Sequence, residues 1–176
     1  DRNILRRVSV LGAGFSLEHT EAVLGDDDED PGWRIRTIRR LSEFLSLDSS
    51  GWVQFQHALI RDVAYSGLPF RTRQDLHARV GDSIFAACDG RPEDVAELLS
   101  LHYFYARRWS RSWLFSRMAG DRAKEIYANN EAAVFYERAL QSAGRLDRVE
   151  RSDRARVLTD LARVQHEAGS YEESRT

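Results

Sequence analysis

One short stretch of this chain alternates apolar and polar residues with period two, and nearly everything around it repeats every three to four. Leu45 and Leu47 alternate before Asp48-Ser49-Ser50-Gly51, and Val53 and Phe55 alternate after it. A glycine-bearing loop of about four residues between two such runs predicts a β-hairpin over 44–56. Helical spacing lies on both sides. Ile4, Val8 and Leu11 precede it at i, i+4, i+7, and Leu59, Ile60, Val63 and Ala64 follow. A chain patterned in this way is expected to be mainly α, with one hairpin and helices elsewhere.

Gly12 and Gly14 are expected to end the first helix in a turn. Ser16 is placed to cap a short helix from Leu17 to Leu24. The run Asp26-Asp27-Asp28-Glu29-Asp30-Pro31-Gly32 reads as an acidic, solvated loop. A third helix is expected over Trp33 to Phe44, with Ile35, Ile38, Leu41 and Leu45 as its buried face. Three helices followed by a hairpin are the element order of a winged helix. Pro69 breaks the helix that follows His57. The next helix carries Leu76, Val80 and Ile84 and stops at Asp89-Gly90-Arg91-Pro92. A division there gives residues 1–90, a winged-helix-like module with trailing helices, and residues 91–176.

The second part reads as helices only, over 93–106, 110–127, 130–143 and 151–168. Leu158, Leu161, Ala162 and Val164 mark the expected core side of the last. Gly120 is followed at +12, +16 and +19 by Ala132, Tyr136 and Ala139. Small, small, aromatic, small at these offsets is the packing pattern of a TPR hairpin: small residues let two helices approach, and the ring fills the space beside them. A second copy is expected at Leu161-Ala162, with the inter-helix turn at Ala168-Gly169-Ser170-Tyr171-Glu172-Glu173. The 42 residues between Gly120 and Ala162 exceed the common period of about 34, and 145–152 is the natural place for the excess. The second copy stops before its partner helix, so the natural protein is expected to continue. Phe104, Tyr105, Trp109 and Trp113 read as apolar packing between or within the halves, not as a ligand cage.

Composition narrows the chemistry. Residues 1–90 carry 11 Arg against 14 Asp and Glu, a net −3, and the remainder carries +1, so neither half is a bulk cation. Lys124 is the sole lysine among 26 basic residues, which points to a GC-rich coding genome. Cys88 is alone, so no internal disulfide can form, and a cytoplasmic setting is expected. There is no apolar run of about 18 residues and no signal-peptide layout at Asp1-Arg2-Asn3. His19, His57, His77, His102 and His166 share no metal-ligand spacing, and no cofactor is expected on this chain. The acidic run lacks the ligand order of a calcium loop. Gly12-Ala13-Gly14 lacks the third glycine of a dinucleotide fingerprint. No G-x-x-x-x-G-K-[ST] loop and no nucleophile motif occurs, so no catalysis is expected.

The most specific run is Phe55-Gln56-His57-Ala58-Leu59-Ile60-Arg61-Asp62-Val63-Ala64-Tyr65, followed by Leu68-Pro69-Phe70-Arg71-Thr72-Arg73-Gln74-Asp75-Leu76-His77. With Leu101-His102-Tyr103 and Ala119-Gly120-Asp121-Arg122-Ala123 further on, it resembles the segment after the ATPase core in actinobacterial adenylate/guanylate cyclase-like and LuxR-type regulators. These are signal-transduction ATPases of the STAND class. The resemblance spans roughly residues 4–143. It implies a parent protein with an output or catalytic domain, a P-loop ATPase using ATP and ADP, a winged helix and helical repeats. The partners it implies are the nucleotide-binding domain of the parent chain and a protein bound on the repeats. It further implies that His57, in a Met-His-Asp-like position, senses bound ADP. Ala58 departs from that motif, which has an acid there. The competing reading is a DNA-binding transcription regulator in which Arg34, Arg36, Arg39 and Arg40 of the third helix contact nucleic acid. The acidic loop before that helix, and a wing without a cation, oppose it electrostatically.

Overall fold

The computed structural model describes residues 1–25 and 32–173, with side chains described as far as residue 169. The acidic run at 26–31 lies outside the described residues. The described chain is mainly helical, with one small antiparallel sheet of three strands. It divides into two compact units, Asp1–Ser83 and Ile84–Thr176. None of the described helices is long and apolar enough to cross a membrane.

The first unit opens with α1 (Arg2–Val8), then β1 (Gly14–Ser16), α2 (Thr20–Leu24) and α3 (Trp33–Arg40). The hairpin strands β2 (Leu45–Leu47) and β3 (Trp52–Phe55) lead into α4 (Ala58–Ser66) and α5 (Phe70–Ala87), whose last turn lies past the division. β3 is central, pairing antiparallel with β2 through Leu47 opposite Val53 and with β1 through Phe15 opposite Val53. One face of this sheet, with Phe15, Leu45, Val53 and Phe55, joins Val8, Val23, Ile38 and Leu41 in the core. Phe15 and Phe55 meet edge to face at 6.4 Å. The loop at 48–51 is tied by Asp48, whose Oδ1 accepts from the Ser50 hydroxyl (2.7 Å) and from the Ser50 and Trp52 amides (2.9 Å each). Those donors hold its carboxyl below the usual range, the Ser50 hydroxyl first.

Three expectations are corrected here. Residues 14–16 form a strand and not a turn alone. Gly12, at φ 112°, makes the bend, and the chain then pairs with the free edge of the hairpin. A side chain at Gly14 would come within 2.8 Å of the Trp52 indole, so this strand lies close under the ring. The third helix ends at Arg40, and Leu45 is buried from β2 instead. Ile35, one turn before the fully buried Ile38, lies at the surface, 36% exposed.

The second unit holds the 3-10 turn Pro92–Val95, then α6 (Ala96–Tyr105), α7 (Trp109–Glu125), α8 (Asn129–Ala143) and α9 (Arg151–Glu173). Two turns repeat the same hydrogen bonds 20 residues apart. Arg108 N–H donates to Tyr103 O (2.9 Å) and Arg107 N–H to Phe104 O (3.0 Å). Ala128 N–H donates to Ala123 O (2.9 Å) and Tyr127 N–H to Lys124 O (3.1 Å). This is the Schellman pattern, with Arg107 (φ 55°) and Tyr127 (φ 60°) at the left-handed position that glycine favours. Consecutive helices are thereby reversed. Ser112 meets Ser142 while Gly120 meets Tyr136, so α7 and α8 run antiparallel.

Along that pair Gly120, Ala132, Tyr136 and Ala139 are all buried. A Cβ at Gly120 would stand 2.6 Å from the Tyr136 ring, so the missing side chain is the seat of the tyrosine. Two buried hydroxyl pairs, Ser100–Ser116 (2.7 Å) and Ser112–Ser142 (2.8 Å), lock α6 to α7 and α7 to α8. In α9 the core face is Val157, Asp160, Leu161 and Val164, at i, i+3, i+4, i+7. Leu158 is half exposed and Ala162 is exposed, on the opposite side from the packing expected of it. α9 also continues through Gly169 to Glu173, where a turn was expected. A single glycine costs a helix interior only about 1 kcal/mol, too little to end one this long.

Candidate functional site

His57 stands at the junction of β3 and α4. Its backbone is extended (φ −138°, ψ 129°), and its carbonyl accepts from the Ile60 amide at 3.0 Å. Its exposed imidazole makes no capping bond to the first turn of α4. His57 is therefore the N-cap residue of a nine-residue helix. An anionic oxygen placed there would meet both a ring donor and the partial positive charge of the helix start. Ala58 supplies no acid to this spot.

The four arginines of α3 do not form one cationic face. Arg34 Nη1 donates to Glu21 Oε2 at 2.8 Å, and Arg40 Nη2 pairs with Asp1 Oδ1 at 3.0 Å. Arg36 and Arg39 are exposed. The hairpin loop nearby presents the Asp48 carboxylate and no cation.

In the second unit, one stripe of α7 floors a groove of about 520 Å³. Leu114 and Met118 supply its apolar floor; its charges are mixed, with Arg117, Arg122 and Arg156 set among Glu93, Asp94, Asp121 and Glu125. The charges are knitted together. Arg156 Nη2 donates to Asp121 Oδ2 (2.7 Å), and the Tyr136 hydroxyl donates to Asp121 Oδ1 (2.8 Å). Lys124 Nζ donates to the buried Asp160 (2.9 Å). Burial, reinforced by Asp121, pushes the Tyr136 hydroxyl far up, so it stays protonated and donates. Arg122 reaches the Glu93 carbonyl at 2.7 Å. This cluster was not foreseen from the sequence. Its local part, Asp121 with Lys124 at i+3 and Arg156 with Asp160 at i+4, has readable spacing. The link between α7 and α9 does not.

His77 and His102 are both buried, each 2% exposed. The ring of His77 meets the Tyr65 hydroxyl at 3.0 Å, under the guanidiniums of Arg61 and Arg73 stacked on Tyr65. Burial first, then those two cations, hold His77 down to about 4. Phe104 packs edge-on against Tyr105 and Trp109, with Arg138 over its face. Among the described residues, no group of three or more His, Cys, Asp or Glu is placed to hold a metal ion. No protein-family model, curated protein or solved structure matches this chain significantly.

Proposed function

We propose that this chain is a non-catalytic regulatory and interaction segment of a multidomain STAND ATPase, of the cyclase-like or LuxR-type kind. In this reading, α1–α3 with the hairpin form a winged-helix-like module. α6–α9 form TPR-like hairpins whose groove receives a protein partner. Partner binding shifts a nucleotide-binding domain of the parent chain between closed and open states. The observation that carries the reading is His57. It falls at a strand-to-helix junction with its imidazole exposed and uncommitted to capping α4, where it can reach a diphosphate held by a neighbouring domain. The seat of Tyr136 over Gly120 supports the repeat part of the proposal. The DNA-binding alternative is weakened by the ion pairs that engage Arg34 and Arg40.

The test belongs in the intact parent protein. His57→Ala is expected to weaken ADP retention and raise basal output. Unchanged ADP affinity and unchanged output in a folded variant would leave His57 a structural role only. Salt-dependent binding to duplex DNA, lost on Arg36→Ala and Arg39→Ala, would favour the transcription regulator.

A further inference from the structure

α4 is turned inside out relative to the other long helices. Its polar groups face inward: Arg61 Nε donates to the Ser9 carbonyl at 3.2 Å, and Tyr65 holds His77. Its apolar groups face out. None of its nine residues is buried, and Leu59 and Val63, one turn apart, are 72% and 64% exposed. Ile60 and Ala64 continue the stripe, and Leu5 of α1 forms the facing wall of a groove of about 320 Å³. Its charged lining is cationic: Arg2 and Arg6 are present and no carboxylate is. Arg6 lies along Gly67, where a Cβ would be 2.9 Å from its Nε. The nearest acid on α4, Asp62, is turned to Arg61 at 3.0 Å. A contiguous apolar stripe of this kind, rimmed by charge of one sign, marks a place where something docks.

We propose that the α1–α4 groove binds an amphipathic helix that carries carboxylates beside its apolar stripe. The width between two helices and the one-turn spacing of Leu59 and Val63 suit side chains at i, i+3 and i+4 of an incoming helix. The rim decides the charge: Arg2 and Arg6 lack a carboxylate in the groove, and an acidic helix supplies it. A second copy of this chain fits poorly, because a two-fold contact would bring the same arginines and no acid from both sides. The proposal does not depend on the ATPase reading above.

The probe is a fluorescein-labelled helical peptide of about 18 residues, long enough to hold helix. It has leucine at every third and fourth position and glutamate flanking them; a control carries lysine for glutamate. The whole chain is expected to bind the acidic peptide. Leu59→Asp with Val63→Asp should weaken it at least about tenfold, as for central anchors. Arg2→Glu with Arg6→Glu should lose the acidic peptide and gain the lysine one. All four positions lie at or near the surface, and an unchanged melting temperature checks the fold of each variant. No binding of the acidic peptide, equal binding of both peptides, or indifference to the aspartates overturns the proposal. So does binding to phosphatidylserine vesicles, abolished by the same aspartates, in a chain that ignores the peptide; that result would assign the groove to a lipid surface.

Discussion

Helix α8 places Ala132, Tyr136 and Ala139 four and three residues apart and leaves none of them exposed; α4 places Leu59 and Val63 four apart and leaves both in solvent. Both stripes have helical spacing. What differs is the neighbour. α8 has Gly120 opposite it, a position emptied to receive a ring. α4 packs on α1 and the turn at Ser9–Leu11, and its inward side is held by an arginine and a tyrosine–histidine pair. Periodicity therefore identifies a face that can be covered. Complementary residues elsewhere in the chain, a glycine here and two serines there, decide whether it is covered from within.

The largest effect expected from this contrast is at the sealed face. Tyr136→Ala would leave a cavity above Gly120 and strand Asp121 without its hydroxyl donor, so a loss of about 3–5 kcal/mol is expected. Urea denaturation measures it, and a loss below about 1 kcal/mol would show that the α7–α8 seat is not what holds the second unit.

An intermediate effect lies on the inner side of α4. His77 is held down to about 4 when folded, against an ordinary value of 6.5. Between those values the unfolded chain carries a proton on this ring that the folded chain does not. Stability is then full above about pH 6.5 and drains as pH falls towards 4, by on the order of 2–3 kcal/mol. Unfolding midpoints from pH 7 to 4 should fall more steeply for the native chain than for His77→Gln; parallel curves would remove the histidine from the account.

The smallest effect belongs to the outer side of the same helix. Leu59→Ala, at 72% exposure, is expected to change stability by less than about 0.5 kcal/mol. A loss of 2 kcal/mol or more would mean that α4 is covered after all, and the contrast with α8 would collapse.

Where the signal was local, the sequence was readable. The hairpin at 45–55, the break at Pro69 and the later helices α6, α7 and α8 stand close to where spacing and turn residues put them, while α9 starts as expected and runs on through its expected turn. The Gly120, Ala132, Tyr136 and Ala139 offsets pick out residues that are all buried. Three features escaped. β1 has three residues, too short for a visible alternation, and its partner strand lies far along the chain. The face of α9 was misassigned because Leu158 and Leu161 offer two apolar stripes, and only packing against α8 chooses the one with Val157 and Val164. Asp160, a buried acid on that face, is intelligible only once Lys124 is seen beside it. His57 could be singled out by its surrounding motif, yet its exposure and its unused ring could not be read from residue order.

The pairing of β1 with β3 has a consequence for how the chain acquires its structure. Gly14 registers with Gln54, so the sheet is complete only after a loop of about 40 residues has closed, and that closure must be made before its contacts repay the lost chain entropy. In the second unit each helix packs chiefly on the next in sequence, α6 on α7 and α7 on α8 through three-residue turns and α8 on α9 across residues 144–150. Low contact order favours speed. As the polypeptide leaves the ribosome, the first-made unit is thus the slower to finish, and the later helices can be assembled while the three-stranded sheet is still searching for its register.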